Sequence, residues 1–210
     1  MATMVRILNL SHPLELISHP VDGRILEMLS RADTAFTGRQ IHIGLGQGSA
    51  RGVQLGLARL HRQGIVLAEP AGRAILYRLN HDHLAAVHVR ALAHLRHELL
   101  GRLRSEFESW DPRPLVAYLF GSTARRESNA ESDIDICLVR PAEVVDPDSA
   151  RWRNQVDALA RAVTSWTGND TRVVEFGEEE ARTGASHDPL LASIRDQGIH
   201  LVGDESVLRP

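Results

Sequence analysis

The sequence predicts an α+β protein with two domains joined by a long helical connector. Three observations lead to this fold class. Residues 13–80 combine short helical patterns with a hairpin pattern, residues 81–109 carry a helical apolar stripe, and residues 110–208 contain two apolar strands around a glycine-serine turn. With 210 residues, the chain has room for two small domains that each bury a modest core.

The amino-terminal domain is predicted to contain three helices and a β-hairpin. Thr37 is a good N-cap for the second helix, and Gly46 is a typical stop. A turn-rich tip, PAGR, separates the two hairpin strands. The predicted helices cover residues 21–31, 37–45 and 49–63, and the strands cover residues 65–69 and 74–79.

The phrase LARLHRQGIV, followed by a strand that ends in YRLN, resembles the winged helix-turn-helix of bacterial regulators such as the ArsR and MarR types. The resemblance spans residues 13–80 and implies that the helix at residues 49–63 is presented to the DNA major groove. The DNA contacts that it implies are Gln47, Ser49, Arg51, Gln54 and, at the hairpin tip, Arg73. Winged helices also mediate protein contacts, so a solvated or protein-facing surface stays open as the alternative.

The connector at residues 81–109 is predicted to be helical because apolar side chains recur at helical spacing. This stripe consists of Leu84, Val87, Ala91, Leu95 and Leu99. Whether the stripe packs on a domain or forms a homodimer is left open. His94 and His97 lie on another flank, where a polar surface is favoured over a metal site because no cysteine joins them.

The carboxy-terminal domain carries the most specific motif of the chain. An apolar run, PLVAYLF, ends at Gly121-Ser122, and a second strand, SDIDICLV, begins at residue 132. Because side chains alternate along a strand, Asp133 and Asp135 share one face. Two carboxylates beside a glycine turn are what a magnesium-nucleotide site requires.

The spacing GSx10DxD resembles the minimal nucleotidyltransferases of the DNA polymerase β-like superfamily. That resemblance implies an α/β nucleotidyltransferase fold with a mixed sheet over residues 110–208. It also implies that Gly121 and Ser122 hold the phosphates of a nucleoside triphosphate and that two Mg²⁺ ions bind Asp133 and Asp135. Arg125 and Arg126 follow the turn, where a guanidinium could contact phosphate or lie on a solvated helix face.

The family usually supplies a third carboxylate from a strand that follows a helix, here predicted at residues 171–176. Arg172 stands where the acid is expected. Glu175 is the one acid within that strand and is our candidate for the third catalytic carboxylate, although strict alternation turns it to the opposite face. A bulge or a register shift would turn the Glu175 side chain to the expected face. Without a third acid, activity could be lost while nucleotide binding survives.

Charge is distributed unevenly along the chain. Residues 1–80 carry nine arginines against five acids, whereas residues 111–210 carry eleven against eighteen. The basic part suits a polyanion such as DNA, and the acidic part suits a metal-nucleotide site. The single cysteine, Cys137, and the absence of a signal-like segment favour the cytoplasm, and no run is apolar enough for a membrane.

Together these patterns predict a Mg²⁺-dependent nucleotidyltransferase coupled to a DNA-binding module, with an antitoxin-like or regulatory role. The resemblance leaves the hydroxyl acceptor open among a partner toxin, a small molecule and RNA. The small size of the catalytic part favours a protein or other macromolecular acceptor. The alternative is a non-catalytic transcriptional regulator that uses the nucleotidyltransferase fold for ligand sensing or assembly.

Overall fold

The computed structural model of the chain describes residues 8–129 and 131–209. Contacts divide the chain into two units. One unit is formed by His12–Arg96, and the other by residues 97–209 together with residues 8–11. Within the described ranges, no helix combines the length and the apolar character that a membrane crossing requires.

The first unit packs four helices around a small antiparallel sheet. Strand β3 lies in the centre of this sheet, between β1 and β2. In chain order the elements are a 3-10 helix Pro13–Leu16, α1 Pro20–Ser30, β1 Phe36–Thr37, α2 Gly38–Leu45, α3 Ala50–Arg62, β2 Val66–Ala71, β3 Ala74–Leu79 and α4 Ala86–Ala93.

Local sequence signals explain where the helices of this unit begin and end. Thr37 and Gln40 form a capping box at the start of α2, and Gly46 ends that helix with a φ of 65°. Ser49 caps α3, because its hydroxyl accepts a hydrogen bond from the Gly52 N–H at 3.0 Å. The apolar faces of α1, α2 and α3 then meet in one core with the inner side of the sheet.

The helical stretch predicted for residues 81–109 consists of two helices, α4 and α5 Leu95–Glu108, which meet at His94. The Nδ1–H of His94 donates to the carbonyl of Arg90 at 2.6 Å. Since α4 belongs to the first unit and nearly all of α5 to the second, the segment is not an independent connector. His94 and His97 consequently lie outside any shared helix.

The buried face of α4 also differs from the predicted apolar stripe. Ala86, Val89 and Ala93 enter the core of the first unit, where α4 packs against α1. Leu84 and Val87 are instead 91% and 65% exposed. The periodicity of the sequence allows either face, and contact with α1 selects the one with smaller side chains.

The second unit is built on a four-stranded sheet with the order β6-β5-β4-β7. Strand β4 runs antiparallel to β5 and β7, whereas β5 and β6 are parallel, so the sheet is mixed. The predicted α+β class with a mixed sheet is therefore confirmed. Besides α5, the elements are β4 Val116–Phe120, α6 Gly121–Arg125, β5 Ile134–Arg140, α7 Ala150–Thr167, β6 Thr171–Gly177, α8 Glu178–Gly184, α9 Pro189–Gln197, β7 Ile199–Gly203 and a 3-10 helix Glu205–Leu208.

Each face of this sheet has its own core. On one face, Ile134, Ile136 and Leu138 of β5 pack with the apolar residues of α5 and α7. On the other, Cys137 and Val139 pack with the apolar residues of α8 and α9. Because side chains alternate, Asp135 projects to the same face as Cys137. The sheet thereby directs the candidate carboxylates to the side of α8 and α9.

Candidate functional site

Asp133 and Asp135 are held at the start of β5, where this strand lies between two neighbours. Asp133 immediately precedes β5, and Asp135 is its second residue. Asp135 is paired with Phe120 of β4 on one side and with Arg172 of β6 on the other. The carboxylates therefore share one face of the sheet, as their spacing predicts, next to the point where β4 passes into α6.

Gly121 is required at the end of β4 by its conformation and by a close approach. Its φ is 72°, a left-handed value that residues with a Cβ rarely adopt. A Cβ at this position would overlap Oδ2 of Asp135 and lie 3.2 Å from its Cγ. The glycine thus allows the Asp135 carboxylate to approach the backbone of the turn.

The remaining residues predicted for the phosphate site lie on α6 and just beyond it. Ser122 is in the first turn of this five-residue helix, and its carbonyl accepts a hydrogen bond from the Glu127 N–H at 2.9 Å. Arg125 is exposed and donates from Nε to Glu127 at 2.8 Å. Arg126 ends the helix with a φ of 61° and is exposed. These three residues thus follow Gly121 at the same corner of the sheet.

The electrostatics of the site are dominated by the two carboxylates and by Arg172. Burial raises the pKa of Asp135, and the charge of Asp133 raises it further, while Arg172 and Arg125 act in the opposite direction. Arg172 forms an ion pair with Asp133, with 2.7 Å between its guanidinium nitrogen and Oδ2. A cation of the protein itself therefore neutralises part of the negative charge that would attract a metal ion.

Glu175, our candidate for the third carboxylate, is not brought to this cluster. It pairs in register with Leu138, on the face of the sheet that α7 covers. Its carboxylate accepts a hydrogen bond from Trp152 Nε1 and lies 2.9 Å from the Arg153 guanidinium. No bulge interrupts the pairing of β5 with β6, so strict alternation decides the face. This geometry corrects the expectation that Glu175 completes the site.

The side chains of the described ranges contain no group of three or more histidines, cysteines, aspartates or glutamates that could hold a metal ion. Asp133 and Asp135 are two carboxylates, the hard oxygen ligands that Mg²⁺ prefers. Cys137 lies beyond them along the same face, but burial raises the pKa of its thiol to about 12. It is therefore not a thiolate ligand at neutral pH.

Two supporting residues were missed by the sequence reasoning. Asn169 is buried, and its Nδ2 donates to the carbonyl of Ser132 at 3.0 Å, which anchors the backbone just before Asp133. Ser128 is also buried and shares a hydrogen bond of 2.7 Å with the hydroxyl of Ser11. The turn sequence GND indicates a helix end, but no local signal indicates these distant partners.

The five residues predicted to contact DNA all lie in the first unit. Gln47 accepts a hydrogen bond from Arg24 at 3.0 Å, and the hydroxyl of Ser49 is engaged as the cap of α3. Arg51 and Gln54 are exposed on α3. Arg73 is exposed at the hairpin turn, next to Gly72, whose φ is 61°. Gln47 and Ser49 are thus engaged in contacts within the first unit. The other three side chains, Arg51, Gln54 and Arg73, are exposed on α3 and at the hairpin turn.

Part of this chain is similar to known proteins. The solved structures that are similar to the chain include two in which the similarity covers 54% of this chain and 79% of the other, with a TM-score of 0.35. One is a toxin-antitoxin with AMP-PNP, at 26% identity, and the other is a mutant of the toxin-antitoxin MntA-HpeT, at 22% identity. No match was found among curated proteins. Gly121, Asp133 and Asp135 lie within residues 98–182, which match the family described as "Nucleotidyltransferase domain".

Proposed function

We propose that the second unit transfers a nucleotidyl group from a nucleoside triphosphate to a hydroxyl group. The supporting observation is the convergence of Gly121, Asp133 and Asp135 at one corner of the sheet, within the segment that matches the nucleotidyltransferase domain. In this reaction the acceptor oxygen bonds to the α-phosphorus while the bond to the pyrophosphate oxygen breaks. Pyrophosphate leaves, and the hydroxyl proton is released.

Asp133 and Asp135 are proposed as the ligands of Mg²⁺. When bound, the ion neutralises charge on the triphosphate and activates the hydroxyl. Two carboxylates on one face fit such an ion, and the pKa of Asp135 is raised by its burial and, further, by the charge of Asp133. Ion binding would relieve the repulsion between the two charges.

The turn after β4 is proposed to bind the triphosphate. Gly121 keeps this corner free of a side chain, and Ser122 offers a hydroxyl in the first turn of α6. Arg125 is close enough to Asp135 for its charge to oppose the rise in the pKa of that carboxyl, so its guanidinium is also near the phosphates that we place there. Arg126 is exposed at the end of the same helix and is proposed to assist.

A labelling experiment tests the transfer reaction. The full chain is incubated with Mg²⁺ and each α-³²P-labelled triphosphate, together with cell lysate protein or RNA. We expect label to enter an acceptor with the wild type, and Asp133→Ala and Asp135→Ala to abolish labelling. Asp148→Ala removes one exposed carboxylate outside the site and should leave labelling unchanged. Absence of transfer from all four triphosphates would contradict the enzymatic proposal.

The acceptor that we propose is a macromolecule, and a partner toxin is the leading case. Residues 98–182 contain three of the four strands of the sheet together with α6, α7 and most of α5 and α8. A segment of this size leaves little protein for a separate acceptor pocket. Labelling of one protein band, lost after protease treatment but resistant to ribonuclease, would support a protein acceptor. Label that ribonuclease removes would identify RNA instead.

The first unit is proposed to be a winged helix-turn-helix that binds DNA. Its order of α1, β1, α2, α3 and the β2–β3 hairpin supports this proposal, as does the exposure of Arg51, Gln54 and Arg73. Binding to DNA fragments from around the gene should weaken steeply as salt rises, because basic side chains displace counterions from phosphates. Binding that is independent of salt would argue for a protein-binding unit.

A second candidate function is transcriptional regulation without catalysis. The observation in its favour is the third-acid position, where Arg172 pairs with Asp133 while Glu175 is held on the other face. This candidate predicts specific DNA binding that a triphosphate alters, together with no transfer of label. Label transfer that depends on Asp133 would exclude it.

A further inference from the structure

Arg172 places a positive charge where a third metal-binding acid would otherwise stand. Its backbone is in register with Asp135, and its guanidinium contacts Asp133. The Arg172 side chain is 68% exposed, whereas that of Asp133 is 12% exposed. The arginine therefore reaches from the open side of the site onto a carboxylate that is mostly covered by protein.

The charge balance at this corner is unfavourable for two divalent cations. Without a triphosphate, Asp133, Asp135 and Arg172 together carry a net charge of about −1, and the nearby Arg125 adds a further positive charge. The side chains alone therefore offset little of the four positive charges of two ions. Glu175 cannot correct the balance, because it lies on the other face with Arg153.

The ion pair between Arg172 and Asp133 can be replaced by a contact between Arg172 and phosphate. The Arg172 guanidinium is mostly exposed to solvent, so water and salt screen its attraction to Asp133 and the ion pair holds it weakly. A planar guanidinium also binds phosphate oxygens in a bidentate manner. A triphosphate that arrives with one cation would offer Arg172 a more negative partner and would free Asp133 for that cation.

We infer that Arg172 replaces the second metal ion, so that the site binds one divalent cation per triphosphate and the guanidinium moves from Asp133 to the phosphates. This inference rests on the proposed function and assigns the cation stoichiometry of the same site. Arg172 is thus a phosphate-binding residue that also competes with the metal while the triphosphate is absent.

Equilibrium dialysis of the full chain measures this stoichiometry directly. Mn²⁺ and inorganic tripolyphosphate serve as probes, because they require no knowledge of the base. We expect one Mn²⁺ for each tripolyphosphate bound to the wild type and two for Arg172→Asp. With Mn²⁺ alone, Arg172→Gln should bind about 5-fold more tightly than the wild type, because the competing ion pair is lost. The same variant should bind tripolyphosphate about 10-fold more weakly.

Arg102→Gln is the matched control, since it also removes one exposed guanidinium from an ion pair, with Glu98 on α5. It should change neither affinity. Two Mn²⁺ per tripolyphosphate in the wild type, or unchanged tripolyphosphate affinity in Arg172→Gln, would overturn the inference. If label transfer still depends on Asp133 in that case, the inference alone fails. If no variant binds Mn²⁺ and no label is transferred, the proposed function fails with it.

Discussion

The close approach of Asp135 to Gly121 predicts that Gly121→Ala destabilises the second unit. The first cost is conformational, because a left-handed φ costs an alanine about 1–2 kcal/mol. The second is steric, because the new Cβ would overlap Oδ2 of Asp135, and overpacking of this kind costs about 1–3 kcal/mol. The free energy of unfolding should therefore fall by about 2–5 kcal/mol.

Urea unfolding followed by tryptophan fluorescence measures this loss in the correct unit. All three tryptophans, Trp110, Trp152 and Trp166, belong to the second unit, so their fluorescence reports on its unfolding. Gly101→Ala is a matched control in α5, where a Cβ meets open space, and should raise stability by about 0.5–1 kcal/mol.

A double-mutant cycle separates the two costs. In an Asp135→Ala background the overlapping carboxylate is absent, so Gly121→Ala should cost only the conformational part, about 1–2 kcal/mol. The difference between the backgrounds, about 1–3 kcal/mol, is the energy of the contact. Equal costs in both backgrounds would refute the reasoning, because Asp135 would then not approach the turn.

Three further predictions concern charge. The pKa of Asp135 is raised in the folded protein, so ionisation of this carboxyl opposes folding. Its neutral form contributes to stability below the unfolded pKa, and this contribution is lost as pH rises through the folded pKa. Asp135→Asn should therefore raise the Tm of the metal-free protein at pH 7, and this gain should vanish in acid; a gain that persists in acid would contradict the assignment. Glu175→Gln should lower the unfolding free energy by about 1–3 kcal/mol, because the ion pair with Arg153 is lost. The affinity for Mn²⁺ should not change, and weaker Mn²⁺ binding would mean that Glu175 takes part in the metal site. Arg51→Gln should reduce the slope of log affinity against log salt by about 1 in DNA binding, and an unchanged slope would remove Arg51 from the interface.

The sequence alone determines the features of the site that depend on near neighbours. Alternation along one strand places Asp133 and Asp135 on the same face, and the same rule turns Glu175 away from the face of Arg172. The glycine at position 121 also follows from the strand-to-helix turn. These features need only the two-residue period of a strand and the steric limits of the backbone.

The tertiary structure decides the features that depend on distant partners. The contact of Arg172 with Asp133 requires the register between β5 and β6, which are separated along the chain by α7. The break at His94 also depends on distant partners. Residues of α4 pack in the core of the first unit and residues of α5 in the core of the second, and the periodicity of the sequence does not distinguish the two. Local periodicity assigns a side chain to a face, but packing between elements decides which charges meet there. For this protein, packing is what places an arginine at the third-acid position in contact with Asp133.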